Sequence, residues 1–283
     1  MAEKTLDGLV STDWLAGQLG ARDLRVLDAS WYLPQMKRDP KAEFTERHIP
    51  GAVFFDIDAI SDASIPLPHM LPTPEQFARQ VGALGVGDGD RIVCYDGAGL
   101  FSAARAWWMF RAMGHASVAV LDGGLPKWLA ESRPTESGAA NPTPRTFTPR
   151  PNRSLVRDID AVRANIASKR EQVLDARSHG RFNATEPEPR PGMRGGHIPG
   201  AFNLPYGELV DPKTGTVLPP IILEARFKAA GLDLTKPVVT SCGSGISASS
   251  LALGLYLIGR KDVAVYDGSW TEWGGRADTP IET

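Results

Sequence analysis

The sequence predicts an α/β protein made of two tandem copies of one domain, each a parallel sheet flanked by helices. Three observations lead there. Four short blocks recur in the same order about 147 residues apart. Val26-Leu-Asp-Ala-Ser30 returns as Val173-Leu-Asp-Ala-Arg177, and His48-Ile-Pro-Gly-Ala52 as His197-Ile-Pro-Gly-Ala201. Ile92-Val-Cys-Tyr-Asp-Gly97 is matched by Val238-Val-Thr-Ser-Cys-Gly243, and Leu121-Asp-Gly-Gly124 by Tyr266-Asp-Gly-Ser269. Within each copy, short β-branched runs alternate with helical patterns, the mark of parallel strands joined by right-handed crossovers. Between the copies the composition breaks: residues 132–153 hold five prolines and no apolar period.

Each element has a local reason. Residues 24–30, 91–96 and 117–123 read as buried parallel strands, and residues 172–177, 237–242 and 262–268 as their counterparts. Thr73-Pro-Glu-Gln76 opens a helix with a capping box and proline at the first helical position. Residues 102–114 form the next helix, and residues 222–231 and 247–259 are the partners of these two in the second copy. The proline-rich stretch disfavours helix and central strand. The expected division is a first domain over 1–133, a linker over 134–154 and a second domain over 155–283.

Composition narrows the function. The 283 residues carry a net charge of −2, with 42% apolar and 23% charged residues, as in a soluble globular protein. Near-neutral charge gives no footprint for nucleic acid. The longest strongly apolar stretch, Leu251 to Ile258, is far shorter than the roughly 20 residues of a membrane span. The opening residues show no apolar run behind a basic one, so a cytoplasmic location is expected. Two cysteines, Cys94 and Cys242, build neither a disulfide framework nor a four-cysteine zinc site.

The chemistry concentrates after one strand. The run from Pro237 ends at Cys242, and Gly243-Ser244-Gly245-Ile246-Ser247-Ala248 leads into a helix. Ligand sites of open α/β sheets lie beyond the carboxyl ends of the strands. The amides after Cys242 and the helix N-terminus behind them favour negative charge, so the thiol there is a candidate nucleophile. The same residues fit a dinucleotide fingerprint, but too little chain follows to complete such a fold. The cysteine phosphatase loop is excluded by Ala248, which stands where that chemistry needs arginine. A second unusual stretch follows the strand at 172–177 and includes Arg181, Glu186, Glu188, Arg190 and Arg194. Its arginines suit a small carboxylate or other oxyanion, or else pair with Glu186 and Glu188. No such loop is read in the first copy, where Asp96 stands in place of Cys242. Cys94 reads as a small buried hydrophobe, and the two His-Ile-Pro-Gly-Ala blocks as structural turns. His48, with acidic neighbours, is the one of those two histidines carried forward as a candidate.

Together the paired domains, the His-Ile-Pro-Gly-Ala turns, the single C-terminal cysteine loop and the ending Tyr266-Asp-Gly-Ser-Trp-Thr-Glu-Trp273 resemble the two-domain rhodanese family of sulfurtransferases. The resemblance covers essentially the whole chain. The loop Cys242-Gly-Ser-Gly-Ile-Ser-Ala248 is similar to that of the branch using 3-mercaptopyruvate, whereas branches using thiosulfate carry basic residues there. The resemblance implies sulfur transfer through a persulfide of Cys242, with pyruvate released and no metal or organic cofactor. It implies that Arg181 and Arg190 hold the donor, with Gly243, Gly245, Ile246 and Ser247 lining the site. It also implies a proton relay of Ser244, His48 and Asp39. The implied acceptors are a thioredoxin-like protein, a small thiol or cyanide. Two alternatives remain at this stage, a thiosulfate sulfurtransferase and a non-catalytic persulfide-carrying or docking module.

Overall fold

The computed structural model describes residues 6–283, which form two compact units. Unit 1 takes the described residues up to Ser61, residues Leu71–Asn152 and a short piece of the second half, Val210–Val217. Unit 2 takes residues 62–70 and the remainder of the second half. Among the described residues no helix is long and apolar enough to cross a membrane.

Unit 1 runs β1 (Asp7–Val10), α1 (Thr12–Gln18), β2 (Leu24–Asp28), α2 (Pro40–Glu46), β3 (Ala52–Phe54), α3 (Pro74–Ala83), β4 (Arg91–Tyr95), α4 (Ala103–Ala112), β5 (Val118–Leu121) and α5 (Gly124–Ala130). Its sheet is ordered β1-β5-β4-β2-β3 with every pair parallel. Unit 2 runs β6 (Val156–Arg157), α6 (Ile159–Ser168), β7 (Gln172–Asp175), α7 (His179–Phe182), β8 (Phe202–Asn203), α8 (Pro220–Ala229), β9 (Val238–Ser241), α9 (Ile246–Leu257), β10 (Ala264–Tyr266) and α10 (Ser269–Trp273). Its order, β6-β10-β9-β7-β8, repeats the first, again all parallel. The central strands β4 and β9 are almost wholly buried, as the near-continuous apolar runs require. One core packs Val93, Ala119 and Trp128 around the first sheet, and its counterpart packs Val239, Ala264 and Trp273 around the second. The helix cap at Thr73 forms as expected: its side chain accepts from the Gln76 N–H, and Pro74 is the first helical residue.

The proline-rich stretch differs from a linker. Residues 134–152 lie on unit 1 as a strap. His48 and Glu136 exchange backbone hydrogen bonds at 2.8 and 2.9 Å, Arg145 N–H donates to Gly82, and Arg150 and Asn152 N–H donate to Met113 and Ala112. Phe147 is buried between Phe77 and Phe110, with ring centroids 5.6 and 5.9 Å away. The approach is close: a Cβ on Gly82 would lie 2.6 Å from the Arg145 carbonyl oxygen. Prolines keep the strap extended, and one aromatic side chain anchors it, which no periodicity could reveal.

Candidate active site

The site grows from β9. The strand ends at Ser241, and Cys242 begins the turn into α9. Gly245 makes the turn possible: its φ of 81° is left-handed, and it caps α9. The turn points the Gly245 N–H at the Cys242 Sγ, 3.1 Å away. Behind it, α9 presents the positive end of its dipole. Cys242 is 2% exposed, and Ser244, Gly245, Ile246 and Ser247 are buried around it. Ile246 and Ser247 form the first turn of the helix, where backbone amides have no intrahelical partner.

α10 grips the other side of this turn. Trp270 N–H donates to the Cys242 carbonyl at 2.9 Å, and the Thr271 amide and hydroxyl both donate to the Gly243 carbonyl at 2.8 and 2.6 Å. Cys242 N–H donates to the Ser269 hydroxyl at 3.2 Å, which in turn donates to the Tyr266 carbonyl. Ser269 has a φ of 49°, matching Gly124 at 54° in the first copy. A serine in that conformation is strained, and here its hydroxyl holds the Cys242 amide. Sequence reasoning matched the two blocks but missed Ser269 and Thr271. The visible signal was serine standing where the other copy has glycine.

Arg181 and Arg190 converge on the same turn. A Cβ on Gly243 would lie 3.1 Å from Arg181 Nη2 and 3.9 Å from Arg190 Nη1. Arg190 Nη2 donates to Ser244 Oγ at 3.5 Å. Behind Arg181 stands an ion-pair chain. Arg181 donates from Nε and Nη2 to Glu188, the shortest contact being 2.6 Å. Glu188 accepts from Arg177 Nη1 at 2.7 Å, and Arg177 forks onto Asp175 and lies over the Trp270 ring. Burial works against the charge of Arg177, but Asp175 and Glu188 outweigh it and raise its pKa above the ordinary value. Glu186 accepts from the Ser178 hydroxyl. Of the two arrangements open to this loop in the sequence, the structure contains both: Arg181 is paired with Glu188, and both guanidiniums still face the Cys242 turn.

The remaining candidates have other surroundings. His48 lies in unit 1, where its Nδ1 is 2.7 Å from the Phe44 carbonyl and its ring stacks on Phe44 at 4.1 Å. His197 does the same with Phe182 in unit 2, at 2.9 and 3.7 Å. The same pair of contacts, to a phenylalanine carbonyl and to its ring, gives both histidines a structural role. Asp39 caps α2, accepting from the Lys41 and Ala42 amides. The structure thus gives His48 and Asp39 structural duties within unit 1. Cys94 is fully buried in β4, and burial pushes its thiol pKa up.

The first copy shows what such a turn holds. Asp96, in the place of Cys242, is fully buried, and its Oδ2 accepts from the amides of Phe101, Ser102 and Ala103 at 2.8–2.9 Å. Its Oδ1 accepts from Ala98 N–H. The turn after this strand is a nest for an anion, and in unit 1 a carboxylate fills it.

Comparison with known proteins accords with this geometry. The rhodanese-like domain model matches residues 11–131 and 158–276. The chain is 48% identical over 275 residues to human 3-mercaptopyruvate sulfurtransferase, covering 95% of this chain and 92% of that one. It is 46% identical over 283 residues to thiosulfate sulfurtransferase of Bos taurus, covering 97% and 94%. Among solved structures it is similar to the 3-mercaptopyruvate sulfotransferase SseA of Escherichia coli, with a TM-score of 0.85, 39% identity and coverage of 94% and 99%.

Proposed function

The chain belongs to the rhodanese family, and from that premise we propose that it is a 3-mercaptopyruvate sulfurtransferase working through a persulfide of Cys242. One observation carries the choice of residues: Arg181 and Arg190 face the turn in which the Gly245 amide donates to the Cys242 sulfur. Overall identity does not separate the donors, since the relatives named for mercaptopyruvate and for thiosulfate stand at 48% and 46%. The turn supports 3-mercaptopyruvate. Its residues Gly243-Ser244-Gly245-Ile246-Ser247 carry no charge, so positive charge comes from two guanidiniums able to meet a planar carboxylate and an adjacent keto oxygen.

The Cys242 thiolate attacks the sulfur of 3-mercaptopyruvate, forming the sulfur–sulfur bond as the sulfur–carbon bond breaks. The electron pair leaves on carbon as the enolate of pyruvate. The proton carried by the donor's sulfur passes to that carbon, leaving pyruvate and an anionic persulfide. Arg181 and Arg190 hold the carboxylate and stabilise charge on the enolate oxygen. Ser244, beside Arg190, is placed to pass the proton. The Gly245 amide and the α9 N-terminus stabilise the persulfide, as the first copy's turn stabilises the Asp96 carboxylate. A thiolate or cyanide then takes the outer sulfur and regenerates the Cys242 thiolate. A small thiol, a thioredoxin-like protein and cyanide all meet this requirement.

Intact mass after donor treatment tests the reading. Wild type and Cys94→Ser gain about 32 Da, one sulfur atom, removable by thiol, and Cys242→Ser gains nothing. Pyruvate release from 3-mercaptopyruvate exceeds sulfite release from thiosulfate. An adduct on Cys94, or faster turnover of thiosulfate, refutes the assignment.

A further inference from the structure

Arg181 has five N–H donors and two usable edges. One edge, Nε with Nη2, is taken by Glu188, whose carboxylate is 4% exposed. The edge left toward the Cys242 turn is the end-on pair of Nη1 and Nη2. Glu188 is itself immobilised, because Arg177 donates to it at 2.7 Å and is locked by Asp175, the Gly196 carbonyl and the Trp270 ring. The chain Asp175–Arg177–Glu188–Arg181 therefore runs from the end of β7 to the glycine after the nucleophile.

Unit 1 repeats this device independently. Arg38 donates from Nε and Nη2 to the two oxygens of Glu43 at 2.7 and 2.6 Å. A Cβ on Gly97, the residue after Asp96, would lie 3.2 Å from Arg38 Nη2, just as one on Gly243 would lie 3.1 Å from Arg181 Nη2. In both copies a glutamate fork holds an arginine's Nη2 over the glycine that follows the residue in the nest. The pairs are five and seven residues apart, so the repeat lies in space and not in the spacing of the sequence.

We propose that Glu188 is a positioning residue of the reaction: it fixes Arg181 so that only its end-on edge meets the donor. The assignment rests on the sulfurtransferase reading above. Glu188 touches no reacting atom and acts through Arg181.

A double-mutant cycle between Glu188→Gln and Arg181→Ala tests it, read as kcat and KM for pyruvate release from 3-mercaptopyruvate. Misplacing a substrate-holding group by about 1 Å costs up to about 100-fold, so Glu188→Gln lowers kcat/KM about 10- to 100-fold, mainly by raising KM. In the Arg181→Ala background the same substitution changes kcat/KM by no more than about twofold. Glu188→Asp keeps the charge but withdraws the fork by about 1.5 Å, one carbon–carbon bond, and gives the same cycle should the glutamine variant not fold. An additive cycle on an active wild type overturns the assignment. A wild-type chain that releases no pyruvate from 3-mercaptopyruvate instead overturns the functional reading, and the assignment falls with it.

Discussion

Gly243→Ala is a small perturbation with a calculable consequence. The added Cβ lies 3.1 Å from Arg181 Nη2, and ordinary contact begins near 3.4 Å, so about 0.3 Å must be found. Arg190 Nη1, at 3.9 Å, has room already. Arg181 cannot simply retreat, because Glu188 holds it at 2.6 Å and Arg177 holds Glu188 at 2.7 Å. Nor can the turn yield cheaply, because Thr271 donates twice to the Gly243 carbonyl. If a misplacement of about 1 Å costs about 100-fold, a displacement of 0.3 Å costs about fourfold in kcat/KM for 3-mercaptopyruvate. Stability moves the other way. Gly243 lies outside the left-handed region, so alanine fits its backbone and adds up to about 1 kcal/mol by restricting the unfolded chain. The assay is steady-state pyruvate release beside a denaturant titration. Lower kcat/KM with unchanged or higher stability is expected. Unchanged kcat/KM would refute the argument that Arg181 is pinned over this glycine.

Two further expectations concern unit 1. Burial raises the Asp28 carboxyl pKa to about 6 from 3.8, against the hydrogen bonds from Ser30 that lower it. The folded chain holds this proton where the unfolded chain has lost it, so the contribution is complete below about 3.8 and is lost as pH rises through about 6. At about 1.4 kcal/mol per pKa unit the loss is about 3 kcal/mol. Denaturant titrations of wild type and Asp28→Asn between pH 4 and 7 should show this slope in wild type alone, and a shared slope would contradict it. Phe147→Ala should cost about 3–5 kcal/mol, as for a buried phenylalanine, where a loose linker would lose almost nothing in the same titration.

The parts of the fold legible in the sequence are those with strong local causes. β4 and β9 are almost wholly buried, so their runs are largely apolar, and Thr73 with Pro74 states a helix start outright. β6 and β8 have two residues each, too few for any pattern, and β1 shows only four. Cys242 and its glycines were legible because a strand, a turn and a helix fall in consecutive residues. The convergence of Arg181 and Arg190 on Gly243 was legible only as a possibility, since the loop's return depends on Glu188 and Arg177 meeting in space. Arg38 escaped because its spacing to Glu43 differs from that of Arg181 to Glu188. The family's relay drew attention to His48, yet the sequence already held the counter-signal in His197, which repeats the same turn.

Two positions separate the copies at the turn after the central strand. In unit 1 the Asp96 carboxylate reaches three amides at the start of α4, which begins at Ala103, seven residues past it. In unit 2 the helix begins at Ile246, four residues past Cys242, and the Gly245 amide turns to the sulfur. A thiolate bears one charge on one atom and cannot span the nest as a carboxylate does. A persulfide adds a second sulfur and comes nearer to that reach. Both turns present backbone amides beneath an arginine held by a glutamate. In unit 1 the Asp96 carboxyl fills the nest from within the chain, and beside it burial raises the Asp28 pKa to about 6. In unit 2 the place of Asp28 is taken by Asp175, whose partner Arg177 carries the charge network forward to Glu188 and Arg181. The same frame thus holds a self-filled nest in one unit and, in the proposed reading, the sulfur-transfer site in the other, according to Asp96 or Cys242, and Ser30 or Arg177.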